Sequence, residues 1–295
     1  MLATKVIEPA ARLLVDRSRS DLRDPTQGRP VRVYDWAPDA PAGTPLVVVS
    51  HGTGGSGRDM GWLARPLAAA GLRVLSLDHH GNNHVDGYHP EGFLLVWERP
   101  RDITFLLDAV WDELRPSAVG VAGFSLGGYT AAALVGARVD APLVASVLAG
   151  DVPLPPIEEM PDALEQLRAR HSPDELAHAA AGAGVQLRDP RVAAAFLVAP
   201  GLGALLTPRS LASVPVPVEV RWGDADTTNP FERDVRPLLD HLPAAHGLEV
   251  GPGVGHHDFI EPLTPDRPRA RERVGSEAVA FFTEQLLVGA DRSGA

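Results

Sequence analysis

Residues 118–129 read Ala-Val-Gly-Val-Ala-Gly-Phe-Ser-Leu-Gly-Gly-Tyr. Ala118 to Ala122, small and β-branched, predict a strand buried on both faces. Leu126 to Arg138 (LGGYTAAALVGAR) follows almost without a loop and predicts a helix. At the junction stands Gly123-Phe124-Ser125-Leu126-Gly127, a G-x-S-x-G motif. The pattern alone arises often by chance, and its place between strand and helix is what gives it meaning. A serine there sits on a turn so tight that its backbone is strained. Glycines two residues to either side are required because a Cβ would collide with the strand or the helix. Such a turn lifts the Ser125 hydroxyl above the sheet edge and aims the Leu126 amide at the space where an oxyanion would form. The alternative is a glycine-rich turn with an incidental serine.

Outward from this junction, strands and helices alternate, which predicts a mostly parallel sheet covered by helices. Val31 to Tyr34 alternates as an early edge strand. Leu46 to Ser50 (LVVVS) predicts a strand buried on both faces, Arg58 to Ala70 a helix and Leu72 to Asp78 the next strand. Ile103, Leu106, Leu107, Val110, Trp111 and Leu114 recur at helical spacing. Trp97 and Trp111 belong to the core on this reading. From Asp151 to Asp189 the alternation breaks into two helix-like pieces, Pro161 to Arg170 and Asp174 to Ala181. Strands resume at Val192 to Val198, Val216 to Trp222 and Leu248 to Val250. Helices are expected near Phe231 to Leu242 and from Val274 to Leu287. The expectation is a single domain over 1–295, with 151–189 as a helical lid inserted over the site.

A serine hydroxyl is a weak nucleophile at neutral pH and needs a base and an orienting acid. For this elbow the partners follow in the order acid, then histidine, each at a strand end. After Val216 to Trp222 comes Gly223-Asp224-Ala225-Asp226, and after Leu248 to Val250 comes Gly253-Val254-Gly255-His256-His257-Asp258. Three elements in the required order are far more specific than the elbow by itself.

Composition sets the outer limits. The chain has 295 residues, 44% hydrophobic and 22% charged, the proportions of a folded protein rather than a disordered one. Its 27 basic and 38 acidic side chains leave a net charge of −11, which repels nucleic-acid backbones and anionic lipid. With no cysteine, disulfides, thiolate metal sites and a cysteine nucleophile are excluded. Lys5, Glu8, Arg12 and Asp16 interrupt any apolar run at the start, and no stretch reaches a membrane span, so a cytoplasmic protein is expected. The partner expected is a small acyl substrate, with no nucleic acid and no cofactor. Oligomeric state is not readable.

Together these segments resemble the α/β-hydrolase superfamily. Within it the chain looks like the predicted dienelactone-hydrolase group, akin to platelet-activating-factor acetylhydrolases. The resemblance is carried by HGTGGS, LDHHGN, WERPRDITFLLD, GFSLGGYTA, DPRVAAAFLVAPG, LTPRSLASVPVPV, WGDAD and GVGHHDF, spread over most of residues 46–262. It implies an eight-stranded sheet and a serine hydrolase acting on a carboxylic ester, lactone or thioester. Authentic dienelactone hydrolases use a cysteine nucleophile, whereas this chain carries Ser125, so the group's name does not specify a substrate. By the family's pattern the acid falls at the fourth place of the G-x-x-D turn, Asp226. Asp224 and Asp151 are the alternatives. G-x-G-H places the base at His256, with His257 as its neighbour. His51 to Gly57 resembles the family's oxyanion loop, so Thr53 and Leu126 are the expected oxyanion donors.

Other chemistries share parts of this pattern. Acyltransferase, cyclase and lyase activities use the same constellation, and a ligand-binding protein with vestigial hydrolysis would keep it. Gly52 to Gly57 also matches G-x-G-x-x-G between a strand and a helix, with Asp78 where a ribose-binding acid would stand. That dinucleotide reading leaves GFSLGG and GVGHHDF unexplained. As a phosphate loop the segment fails, because Arg58 and Asp59 replace the lysine and the hydroxyl. His79, His80, His84 and His89 beside Asp78 and Asp86 fit no helix-borne ligand pair, and no metal is expected.

Overall fold

Strand β1 (Ala10–Ser20) lies at one edge of the sheet and pairs antiparallel with β2 (Gly28–Asp35) in the computed structural model, which describes residues 7–154, 156–243, 245–261, 263–264 and 268–288. Val31 to Tyr34 is therefore not the edge. Leu13 and Val15 on β1 are exposed and its remaining positions are rich in charge, so the strand carries little of the apolar signal that marks a core element.

Beyond β2 the chain builds β3 (Leu46–Ser50), α1 (Gly61–Ala69) and β4 (Arg73–Asp78), and then a small hairpin of β5 (Asn82–Asn83) and β6 (Gly87–Tyr88). Next come α2 (Pro90–Leu94), α3 (Glu98–Leu114), β7 (Val119–Phe124), α4 (Leu126–Val135) and α5 (Ala141–Ala149). The excursion contains α6 (Ala163–Arg170) and α7 (Pro173–Ala181). The chain returns through β8 (Val192–Val198), α8 (Pro208–Leu211), β9 (Val218–Trp222), α9 (Arg236–His241), β10 (Ala245–Glu249) and α10 (Arg269–Phe282). The helix expected from Phe231 opens as a wide turn, Phe231–Val235, before α9 begins, and the one expected from Arg58 opens as a 3-10 turn, Gly57–Met60. Ser56 and Asp59 cap that turn reciprocally.

The eight-stranded sheet runs β1-β2-β4-β3-β7-β8-β9-β10, and every pairing from β4 to β10 is parallel. Central strands alternate between two apolar layers. Val119 and Val121 of β7 face the layer that holds α3 and α4, and Ala122 and Phe124 face the layer that holds α1 and α10. Strand order reverses between β3 and β7, since β4 lies on one side of β3 and β7 on the other. A crevice for a ligand opens at the carboxyl ends of strands at such a reversal. No helix among the described residues is long and apolar enough to cross a membrane.

Candidate active site

The carboxyl end of β7, at that reversal of strand order, carries Ser125. Ser125 has φ 56° and ψ −120°, a left-handed conformation that a residue with a side chain adopts only when its surroundings enforce it. The enforcement is visible. A Cβ on Gly123 would lie 1.9 Å from the Gly127 carbonyl oxygen, and one on Gly127 would lie 2.2 Å from the Ser50 carbonyl oxygen. Strand, elbow and helix are thus packed backbone to backbone. The Ser125 N–H donates to the Val198 carbonyl at 2.9 Å, and the Ser125 carbonyl accepts from the N–H groups of Gly128 at 2.8 Å and Gly201 at 3.0 Å.

Ser125 Oγ lies 3.0 Å from His256 Nε2, and His256 Nδ1 lies 2.7 Å from Asp226 Oδ2. With Asp226 ionised, Nδ1–H donates to the carboxylate and Nε2 is left to accept the serine proton. The second oxygen of Asp226 accepts from the N–H groups of Thr228 at 3.0 Å and Asn229 at 2.8 Å, which holds the acid in one orientation. The Phe124 ring packs against the imidazole with centroids 4.8 Å apart. Ser125 is 7% exposed, His256 8% and Asp226 5%, so the hydroxyl sits at the rim of the core with the acid beneath.

The two other candidate acids do different things. Asp224 accepts from the N–H groups of Gly253 at 2.7 Å and Val254 at 3.2 Å, and so shapes the loop that carries His256. Asp151 is exposed just beyond α5. His257 is half exposed and approaches Glu158 at 4.0 Å. Asn229 was not singled out in the sequence; its side-chain amide donates to the Ala199 carbonyl at 2.9 Å and reaches Ser125 Oγ at 3.4 Å.

The loop after β3 runs directly against the serine, since a side chain on Gly52 would stand 3.1 Å from Ser125 Cβ. His51 Nε2 accepts from the His79 N–H at 3.1 Å, so its proton is on Nδ1, which donates to the Gly52 carbonyl at 2.6 Å. A trans peptide points its C=O and N–H in opposite directions. Turning the Gly52 carbonyl toward His51 therefore turns the Thr53 N–H away from it. Neither the Thr53 N–H nor the Leu126 N–H has a hydrogen-bond partner among the described residues.

Asp78 is fully engaged by the Ser56 hydroxyl at 2.7 Å, the Gly57 N–H at 2.8 Å and the Tyr34 hydroxyl at 2.9 Å, and is 1% exposed. That leaves it no face for a ribose. The nearby histidines are separately engaged: His79 with Ser50 and Asp102, His80 with the Leu22 N–H and Asp21, His84 with Asp59. Burial pushes His79 down to about 3 and His80 to about 4, and holds His51 well below the ordinary imidazole range, so all three are neutral at pH 7. Trp97 is buried and Trp111 half-buried against the core.

Solved structures share this architecture along nearly the whole chain. A ferulic acid esterase from Streptomyces cinnamoneus matches with a TM-score of 0.63 at 21% identity, over 96% of this chain and 91% of its own. Thermogutta terrifontis esterase 2, phosphorylated by paraoxon, matches with a TM-score of 0.58 at 17% identity, over 94% of this chain and 95% of its own. An α/β serine hydrolase homologue from Coxiella burnetii matches with a TM-score of 0.53 at 16% identity, over 91% and 96%. The fold is the α/β-hydrolase fold. No family model matches the chain, and no curated protein does. Within the α/β-hydrolase fold, Ser125 stands at the strand–helix elbow, Asp226 follows β9 and His256 follows β10.

Proposed function

We propose that the chain is a serine hydrolase that cleaves carboxylic esters, lactones or thioesters of modest size through an acyl-enzyme on Ser125. The observation that carries the reading is the continuous hydrogen-bonded line Ser125–His256–Asp226, at 3.0 and 2.7 Å, on a strained elbow at the carboxyl end of β7. His256 Nε2 takes the hydroxyl proton as Ser125 Oγ attacks the acyl carbon. The N–H groups of Thr53 and Leu126 stabilise the charge that develops on the carbonyl oxygen, and each such donor is typically worth about 10²–10³ in kcat. His256 then returns the proton to the leaving alcohol or thiol. Water, deprotonated by the same imidazole, attacks the acyl-enzyme; the carboxylic acid leaves and Ser125 regains its proton.

Residues 151–189 form the cap in this reading. Glu159 fills the space beside Gly54 together with the Tyr88 hydroxyl, and Glu158 approaches His257. The cap is tied down on its far side by Glu91, which pairs with His171 at 2.9 Å and with Arg170 at 3.4 Å. The esterase neighbours of the same fold support ester hydrolysis as the reaction.

The test is steady-state turnover of p-nitrophenyl butyrate by the wild type and Ser125→Ala, with circular dichroism to establish that both are folded. Turnover by the wild type alone is expected; activity retained by folded Ser125→Ala would overturn the assignment.

A further inference from the structure

We propose that Arg99 is a positioning residue for the oxyanion hole, one buried guanidinium that ties the loop carrying Thr53 to the helical turn carrying Leu126. The inference rests on the serine-hydrolase reading above, in which those two amides are the donors.

Arg99 lies in the first turn of α3 and is 1% exposed. One nitrogen donates to the His51 carbonyl and, at 3.4 Å, to Ser50 Oγ. A second donates at 3.3 Å to Asn82 Oδ1, the same oxygen that accepts from the Gly54 N–H at 2.8 Å. His51, two residues before Thr53, and Gly54, the residue after it, are therefore both held from this guanidinium, one directly and one through Asn82. Arg99 Nε donates at 3.1 Å to Thr130 Oγ1, and the Thr130 hydroxyl donates at 3.0 Å to the Leu126 carbonyl. The third branch thus ends on the residue that supplies the other amide. Asn82 is anchored in turn by donating to the Gly92 carbonyl at 3.1 Å.

Every one of these acceptors is neutral. Burying a guanidinium without a carboxylate bonded to it is costly, and hydrophobic residues of similar size would fill the space more cheaply. What they cannot do is reach three separate elements from one rigid planar fork. Burial pushes Arg99 down to about 9, with Asp102 opposing, so it remains charged at neutral pH. A misplacement of about 1 Å in a catalytic constellation can cost about 10²-fold in rate. The separation of the two donors has no other side-chain tie of this kind among the described residues.

The experiment compares p-nitrophenyl butyrate with its thionoester, in which sulfur replaces the carbonyl oxygen and both release the same phenol. Sulfur accepts hydrogen bonds poorly, so a well-placed oxyanion hole favours the oxygen ester. Arg99→Lys, which keeps the charge and loses the fork, is expected to lower kcat on the oxygen ester about 10- to 100-fold with KM little changed. Its ester-to-thionoester ratio is expected to fall about ten-fold, since a donor that is already misplaced discriminates less. Thr130→Val, near-isosteric and breaking only the Leu126 branch, is expected to shift the ratio the same way by less, and it decides the matter if Arg99→Lys does not fold. A wild-type ratio in the folded variants, with both substrates slowed equally, overturns the inference and leaves Arg99 a packing residue. A wild type that turns over neither substrate, or a folded Ser125→Ala that turns over both, overturns the parent reading and this inference with it.

Discussion

Ser50 Oγ lies 2.9 Å from His79 Nε2. His79 Nδ1 lies 3.0 Å from Asp102 Oδ2, so the interior holds a second Ser-His-Asp line with nearly the dimensions of Ser125–His256–Asp226. Hydrogen-bond geometry does not separate the two. Access and backbone do: Ser50, His79 and Asp102 are all 0% exposed, and Ser50 is the last residue of the regular strand β3, without the positive φ of Ser125.

A fluorophosphonate should therefore modify Ser125 and leave Ser50 untouched. Peptide mapping of the labelled wild type is expected to find one adduct, on the peptide with Ser125, absent in Ser125→Ala. Ser50→Ala is expected to keep the label and lose about 1–3 kcal/mol of stability, because His79 Nε2 is left buried without its donor. An adduct on Ser50 would mean that the interior opens to reagent and that Ser50, not Ser125, is the activated serine.

The acid is tested by three amides. Asp226→Asn keeps the shape but presents a neutral partner to His256 Nδ1, and kcat should fall about 10³–10⁴-fold. Asp224→Asn keeps an oxygen for the N–H groups of Gly253 and Val254 and should stay within a few-fold of wild type, as should Asp151→Asn. A collapse of kcat in Asp151→Asn with Asp226→Asn near wild type would move the acid to Asp151, just beyond α5.

How much of this was readable from the chain depends on the range of the interaction. The elbow at Gly123–Gly127, the G-x-x-D turn before Asp226 and the G-x-G-H before His256 are local signatures, each set by backbone sterics within a few residues. β1 escaped notice because an edge strand needs little apolar content, and Arg12, Asp16, Arg17 and Arg19 hid its pattern. α5, by contrast, carries ordinary local signals. Asp140 caps it by accepting from the Leu143 N–H at 3.0 Å, Pro142 stands in its first turn and Gly150 ends it with φ 84°. Arg99 and Asn82 were beyond reach for another reason. A charged side chain in a helix pattern normally faces water, and only the tertiary fold brings His51, Gly54 and Thr130 around this one.

Stability should fall as the solution is acidified from pH 7 to pH 5. Burial holds His51, His79 and His80 below their ordinary value of 6.5, so the native state stays neutral where the unfolded chain takes up three protons. Their contribution is complete above pH 6.5 and is lost as pH drops below it, each by at most about 2 kcal/mol over that interval. Asp102 does not enter here. Burial favours its neutral form, but Arg29, the His79 hydrogen bond and Arg19 hold it well below the ordinary carboxylate range, so its contribution is lost only below about pH 4. Urea midpoints at pH 7 and pH 5 measure the difference. A midpoint that does not move would mean that these imidazoles protonate freely in the native state.

Two glycines separate steric exclusion from conformational strain. A Cβ on Gly123 would meet the Gly127 carbonyl at 1.9 Å, and its three nearest atoms are all backbone of Gly127 and Gly128, with no flexible side chain to yield. Gly123→Ala should therefore lose more than about 4 kcal/mol, beyond the usual range of single substitutions, and with it the elbow and all ester turnover. Gly71 has φ +89° and nothing within 4 Å of its added Cβ, so Gly71→Ala carries strain alone and should cost about 1–2 kcal/mol with kcat unchanged. Urea denaturation of the two variants beside wild type makes the comparison. If Gly123→Ala were as stable and active as Gly71→Ala, the elbow would have to relax without moving Ser125, and the tight packing of β7 on α4 would not be what holds the serine in its left-handed conformation.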